Sequence, residues 1–215
     1  MRAHEPGLYH HSMRVGTLAN DFYRFSGMEY GQGWILVEGA LLHDLGKVCL
    51  PLSLLNKPKG LNDAEKRMVA LHPTIGAELL KAQGYFGGPV INIVKRHHER
   101  LDGSGYPDGW RKQRTAKVVR TVAVCDALCA MTEQRPYEDA WPLTEALERL
   151  KSMPDQYDQE PVGLLDMMIR KGATNMHKDG RPATQIDSSR KSSGVLRPRS
   201  AFYAPRSRFG IRLIH

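Results

Sequence analysis

Apolar residues recur at three- and four-residue steps through much of the chain, and no stretch alternates as a half-buried strand would. Over residues 12–26, Val15, Leu18, Phe22 and Phe25 share one face, and Gly27 follows as a stop, which predicts an amphipathic helix. Residues 34–45 (WILVEGALLHDL) are apolar nearly throughout and predict a buried helix ended by Gly46. Asn62 with Glu65 has the pattern of a capping box and opens a helix to about Leu71. Pro73 permits a fresh start, so TIGAELLKAQG is the next helix, with Gly84 past its end. Pro89 suits a first turn, after which Val90, Ile93, Val94 and His97 share a face up to about residue 99. Residues 115–132 (TAKVVRTVAVCDALCAMT) carry valines that favour a strand but a length that favours a buried helix, and length decides for helix. Helices at about 142–152 and 161–171 complete an all-α class.

After Gly172 this periodicity fails. Residues 172–215 hold nine Lys/Arg and two Asp/Glu, a net +7, whereas the whole chain carries +8. The body is therefore nearly neutral, and the high pI says nothing about its substrate. The division expected is a domain over 8–172 and a flexible, disordered, basic Ser/Arg/Pro-rich tail over 173–215. Phe202, Tyr203 and Phe209 lie among the tail's arginines, but a solvated charge run is expected there rather than nucleic-acid contact. There is no apolar run of membrane-spanning length and no apolar h-region near the start. Three sparse cysteines without a CxxC fit a reducing cytoplasm.

The chemistry is carried by histidines. His43-Asp44 stands at the end of one apolar segment, His97-His98 at the end of another, and Asp126 inside a third. A carboxylate in such a segment is costly unless it is paired or bound to a cation. Adjacent helical residues point about 100° apart, so His97 and His98 serve one site only if it lies where the helix ends. Convergence on metal is the economical joint explanation. Cys125 and Cys129 are expected to be small buried hydrophobes, and His4, His177 and His215 to be surface residues.

HDLGK (43–47) followed by HHERLDGSGYP (97–107) resembles the HD-GYP branch of the HD phosphohydrolase superfamily, over roughly residues 8–172. The resemblance implies an HD-type helical bundle. It implies metal ligands at His11 (of HSMRV), His43, Asp44, His72 (of LHPTIG), His97, His98 and Asp126, with Asp44 as the bridge. It also implies two divalent ions, iron or manganese, which arm a hydroxide against cyclic di-GMP to give pGpG or GMP. The resemblance assigns catalytic roles to Asp44 and Lys47. Substrate contacts fall to Lys47, Asp102, Gly103, Gly105, Tyr106, Pro107 and Arg135, and Glu99 is expected to orient an imidazole. The competing reading is a non-catalytic signalling module that binds nucleotide or a GGDEF-domain partner. A third is an HD phosphohydrolase for another nucleotide, and a homodimer is compatible with each.

Three positions depart from the family pattern. Members with three metals carry a glutamate four residues before the first histidine, where this chain has Gly7, so two metals are expected. The second aspartate of the family's helix is replaced within Leu128-Cys129, which bears on local packing. The family's RPYRKA becomes RPYEDA, which sets Glu138 where a basic residue would meet an anion. The spacing from GYP to Asp126 is also short. Members commonly carry an upstream sensory or receiver domain, and with ten residues before His11 none is expected here.

Overall fold

The first helix, α1 (Pro6–Ser26), begins a turn and a half before the apolar periodicity does, because Glu5 caps it. The Glu5 carboxylate accepts from the amides of Gly7 and Leu8, and Pro6 fits the first turn. The computed structural model describes residues 5–57, 60–85, 87–134 and 140–174. The basic tail from 175 onward, Arg135 and Glu138 lie outside them.

Helix α2 (Tyr30–Leu42) follows, then a 3-10 turn (Leu45–Cys49), α3 (Leu52–Leu55), α4 (Asp63–Val69), α5 (His72–Ala82) and α6 (Gly88–Arg96). The chain continues with α7 (Lys117–Met131), α8 (Leu143–Lys151) and α9 (Gln159–Arg170). No strand occurs among the described residues, so the all-α class stands. The segment where helix and strand patterns competed is α7. Its valines are tolerated because Val119, Val122, Val124, Cys125, Leu128 and Cys129 are all buried, and packing outweighs their modest helix propensity. Cys129, where the resemblance would place a second aspartate, is fully enclosed in the apolar core. The capping box of α4 is complete, with the Asn62 side chain on the Glu65 amide and the Glu65 carboxylate on the Asn62 amide.

Two expectations are corrected. The apolar segment ends its helix at Leu42 rather than at Gly46, so His43 and Asp44 stand in the link that enters the 3-10 turn. Nor is α2 buried all round: Gly33, Leu36, Gly39 and Ala40 face inward, whereas Tyr30 and Trp34 are exposed. The four-residue α3 is too short to leave a periodic signal.

The main core joins α1, α2, α7, α8 and α9 around Leu18, Phe22, Leu36, Leu128, Leu147, Leu150, Leu165 and Met168. Each such side chain contributes about 1.5–3 kcal/mol by leaving water. A smaller cluster of Leu80, Val90 and Val94 holds α5 and α6. Gly46 joins the two parts. A Cβ built on it would lie 2.0 Å from the His72 carbonyl oxygen and 2.6 Å from the Gly76 amide. Only glycine lets the 3-10 turn rest directly on the α5 backbone, and this contact brings Asp44 to His72.

Candidate metal centre

Five imidazoles and two carboxylates meet in the hollow between these elements. His11 projects from α1, His43 and Asp44 from the link after α2, His72 from the first position of α5, His97 and His98 from the end of α6, and Asp126 from the middle of α7. They form two groups: Asp44, His72, His97 and His98, and His11, His43 and Asp126. Within each group the ligand atoms lie within 4.8 Å of one another. Asp44 faces both groups. Its Oδ1 is 3.1 Å from His72 Nε2 and 3.8 Å from His97 Nε2. Its Oδ2 is 3.3 Å from His43 Nε2 and 4.0 Å from His11 Nε2. Helix α6 stops at Arg96, so His97 and His98 stand where the chain turns, and both rings reach one hollow.

The tautomers are fixed locally. His43 Nδ1 donates to the Ala40 carbonyl at 2.7 Å, His72 Nδ1 to Val69 at 2.7 Å and His97 Nδ1 to Val94 at 3.0 Å. A carbonyl only accepts, so each Nδ1 carries its ring's hydrogen and each Nε2 presents a lone pair inward. His72 Nε2 and His97 Nε2 thus oppose each other at 3.3 Å with no proton to share. His43 Nε2 and Asp44 Oδ1 are buried without a hydrogen-bond partner. Crowded lone pairs and orphaned buried acceptors are unfavourable unless a cation satisfies them. Nitrogen and oxygen donors without thiolate suit a divalent transition metal, and the residues present fit one.

Charge agrees with this. Burial opposes ionisation of Asp44, but Lys47, whose ammonium lies 2.7 Å from Oδ2, leads the interactions that hold the carboxyl well below the usual range. Burial likewise opposes ionisation of Asp126, while the hydrogen bond from His11 leads the interactions that hold it low. Burial, reinforced by neighbouring imidazoles, pushes His97 well below its ordinary value. Burial also brings His98 down to about 3. His11 differs. Burial works against its charge, yet bonds to Asp126 at 2.9 Å and Glu133 at 3.0 Å raise it to about 9. Burial pushes Cys125 up to about 12 and Cys129 well above a thiol's ordinary range, so both remain protonated members of the core.

The loop after His98 is fastened to the helix end. A Cβ on Gly105 would lie 2.3 Å from the His98 carbonyl oxygen and 2.5 Å from the Arg100 amide, so the close approach this glycine permits is to the protein's own backbone. The Tyr106 amide donates to the His98 carbonyl at 3.3 Å, and the Tyr106 ring lies 4.7 Å from the His98 ring at 30°. Glu99 does not orient an imidazole, as its place beside the two histidines suggested. Its buried carboxylate accepts the amides of Asp108 at 2.8 Å and Trp110 at 2.9 Å, and so closes the loop. Asp102 Oδ1 accepts from the amide and hydroxyl of Ser104, which holds the turn containing Gly103. Pro107 is exposed beside them. Arg96 stacks on Trp110 at 3.7 Å and pairs with Asp108 at 3.0 Å. Lys47 Nζ donates to Asp44 Oδ2 at 2.7 Å and stays partly open to solvent.

A family model described as HD domain matches residues 1–160. The chain belongs to the HD domain family. Two curated relatives are similar to it. One is a cyclic di-GMP phosphodiesterase of Pseudomonas aeruginosa, 34% identical over 179 residues, a match that spans 80% of this chain and 42% of that protein. The other is the cyclic di-GMP phosphodiesterase response regulator RpfG of Xanthomonas campestris, 44% identical over 117 residues, which spans 54% and 31%. This chain therefore spans less than half the length of either relative. Among solved structures, the HDG"Y"P protein Bd1817 of Bdellovibrio bacteriovorus superposes with a TM-score of 0.63 at 25% identity, covering 76% of this chain and 52% of that one.

Of the two neighbouring histidines on α1 of this HD-GYP domain, His11 is buried at the centre and His10 is exposed. Two participants carried no sequence signal of their own. Glu133, just beyond α7, holds His11 Nδ1, and Arg14 brings a buried guanidinium beside that carboxylate. The HSMRV motif contains Arg14 but gives no sign of what it meets.

Metal binding is expected to depend on pH through His11. In the metal-free HD-GYP domain His11 keeps its proton up to about pH 9, because its pKa is raised. His97 and His98 are already neutral at pH 7. A cation taken by His11 Nε2 must displace one proton, so affinity at that group should rise by about tenfold per pH unit from neutrality and level off once His11 is deprotonated. Titrating metal into stripped protein at several pH values checks this, and His11→Gln should remove the slope at that group.

Proposed function

We propose that this chain is a metal-dependent phosphodiesterase that opens cyclic di-GMP to pGpG and GMP. The observation that carries the reading is the sharing of Asp44 between two ligand groups, which suits a pair of divalent ions. The metal donors are His11, His43, Asp44, His72, His97, His98 and Asp126, and the ions proposed are iron or manganese. When bound, such ions supply Lewis acidity and a water of lowered pKa, which is what hydrolysis of a phosphodiester needs.

The remaining roles fall to the chain's own groups. Lys47 lies at the partly open side of Asp44 and is placed to neutralise a phosphate oxygen. Tyr106 keeps its hydroxyl hydrogen, since burial and the nearby Asp44 charge raise its pKa well above the ordinary value. It therefore offers a donor and a ring face to a nucleotide. Asp102, Gly103, Gly105 and Pro107 shape the loop that presents it, and Arg135 is proposed as a further phosphate contact. The catalytic domain is proposed to span 8–172.

A second substrate deserves a place in the assay, because a relative from Vibrio cholerae, 33% identical over 144 residues, is named a 3'3'-cGAMP-specific phosphodiesterase. A GGDEF-domain partner and a homodimer belong to the same proposal on the resemblance alone. No helix of the described residues is long and apolar enough to cross a membrane. Three free cysteines suit the cytoplasm as the proposed location.

The test is anaerobic purification, metal analysis, and product separation on the same sample with cyclic di-GMP and 3'3'-cGAMP. About two ions per chain with formation of pGpG or GMP is the expected result. Bound metal with neither dinucleotide consumed would overturn the enzymatic reading.

A further inference from the structure

We infer that Glu133 is the positioning residue for the His11, His43 and Asp126 group, so that the two metal positions depend on different supports. The inference rests on the proposed reading of the cluster as a metal centre. His43, His72 and His97 each satisfy Nδ1 with the carbonyl three residues earlier. His11 stands inside α1, where the carbonyls are consumed by the helix itself, so its Nδ1 needs an outside acceptor. One turn earlier α1 has Gly7 and offers no carboxylate. The acceptor comes instead from 122 residues away, as Glu133 Oε2 at 3.0 Å.

That carboxylate is itself held. Arg14, one turn beyond His11 on the same face of α1, places Nη1 3.6 Å from Glu133 Oε1. Its Nη2 donates to the Thr132 carbonyl at 3.2 Å and the Thr132 hydroxyl at 3.0 Å. Thr132 Oγ1 donates in turn to the Leu128 carbonyl at 2.8 Å. The end of α7 is therefore clamped to α1 through both Thr132 and Glu133. Glu133 holds the Nδ1 hydrogen of His11, so that Nε2, 2.9 Å from Asp126 Oδ1, is the atom that exchanges its own hydrogen for a cation. Glu133 meets the opposite edge of the ring and is not among the ligands of either group. Partners of this kind typically alter metal affinity 10–100-fold.

The test is a calorimetric and spectroscopic titration of cobalt(II) into metal-stripped full-length protein, comparing wild type, Glu133→Ala and Glu133→Gln. Wild type should show two binding steps. Glu133→Ala should weaken one step by about 10–100-fold and leave the other unchanged. Glu133→Gln keeps an oxygen that accepts from Nδ1 and should recover most of the loss. Equal weakening of both steps, or of neither, would overturn the inference and leave the metal reading intact, and failure of Gln to recover affinity would also overturn it. A wild type that binds no cobalt overturns both.

Discussion

Asp44→Asn is expected to empty the whole centre, not half of it. Each carboxylate oxygen faces a different ligand group, so removing the charge deprives both at once. The replacement amide would also aim a donor or a weaker acceptor at imidazoles whose lone pairs point inward. Metal content should fall from about two ions to a small fraction, and turnover with it. Loss of Lewis acidity worth several kcal/mol corresponds to a rate decrease on the order of a thousandfold or more. Asp126→Asn is the control, since Asp126 belongs to one group only and should cost one ion. Metal analysis of the two variants side by side gives the answer, with circular dichroism to show that the helices persist. Equal losses in both variants would mean that Asp44 is not shared.

Gly46→Ala should produce the largest loss of stability from a single methyl group. The atoms a Cβ would strike are backbone atoms of α5, namely the His72 carbonyl and the Gly76 amide, and neither can swing aside. The 3-10 turn and α5 must separate. Overpacking of this kind costs about 1–3 kcal/mol and occasionally more. The upper end is expected here, seen as a fall in melting temperature of roughly 6–12 °C for a domain of this size. Asp44 and His72 lie on the two sides of that contact, so metal affinity should drop as well. Thermal unfolding with and without added metal checks both. An unchanged melting temperature would show that the turn is not seated on the helix.

Much of this was legible in the chain. The order of His43-Asp44, His72, His97-His98 and Asp126 marked the centre, because histidines and aspartates at the ends of apolar segments have few other uses. The length of 115–132 identified α7 despite its valines. Other features were hidden for physical reasons. Gly46 looked like a helix stop because glycine ends helices often. Its actual use, contact with a backbone 26 positions later, leaves no local mark. Glu99 looked like a partner for its histidine neighbours, but a carboxylate can reach forward as easily as back, and it ties residues 108 and 110. Glu133 met His11 only through folding. Trp34 read as core because hydropathy does not record which side of a helix is covered.

Three of the rings at the centre take their bearings from carbonyls only three positions upstream. Their orientation is thus written into short-range geometry and does not wait for an ion to arrive and sort it out. Such a socket is expected to keep its shape when cations are withdrawn by a chelator and returned, much as a fitting outlasts its bulb, so the helical circular-dichroism signal should not change between the two states.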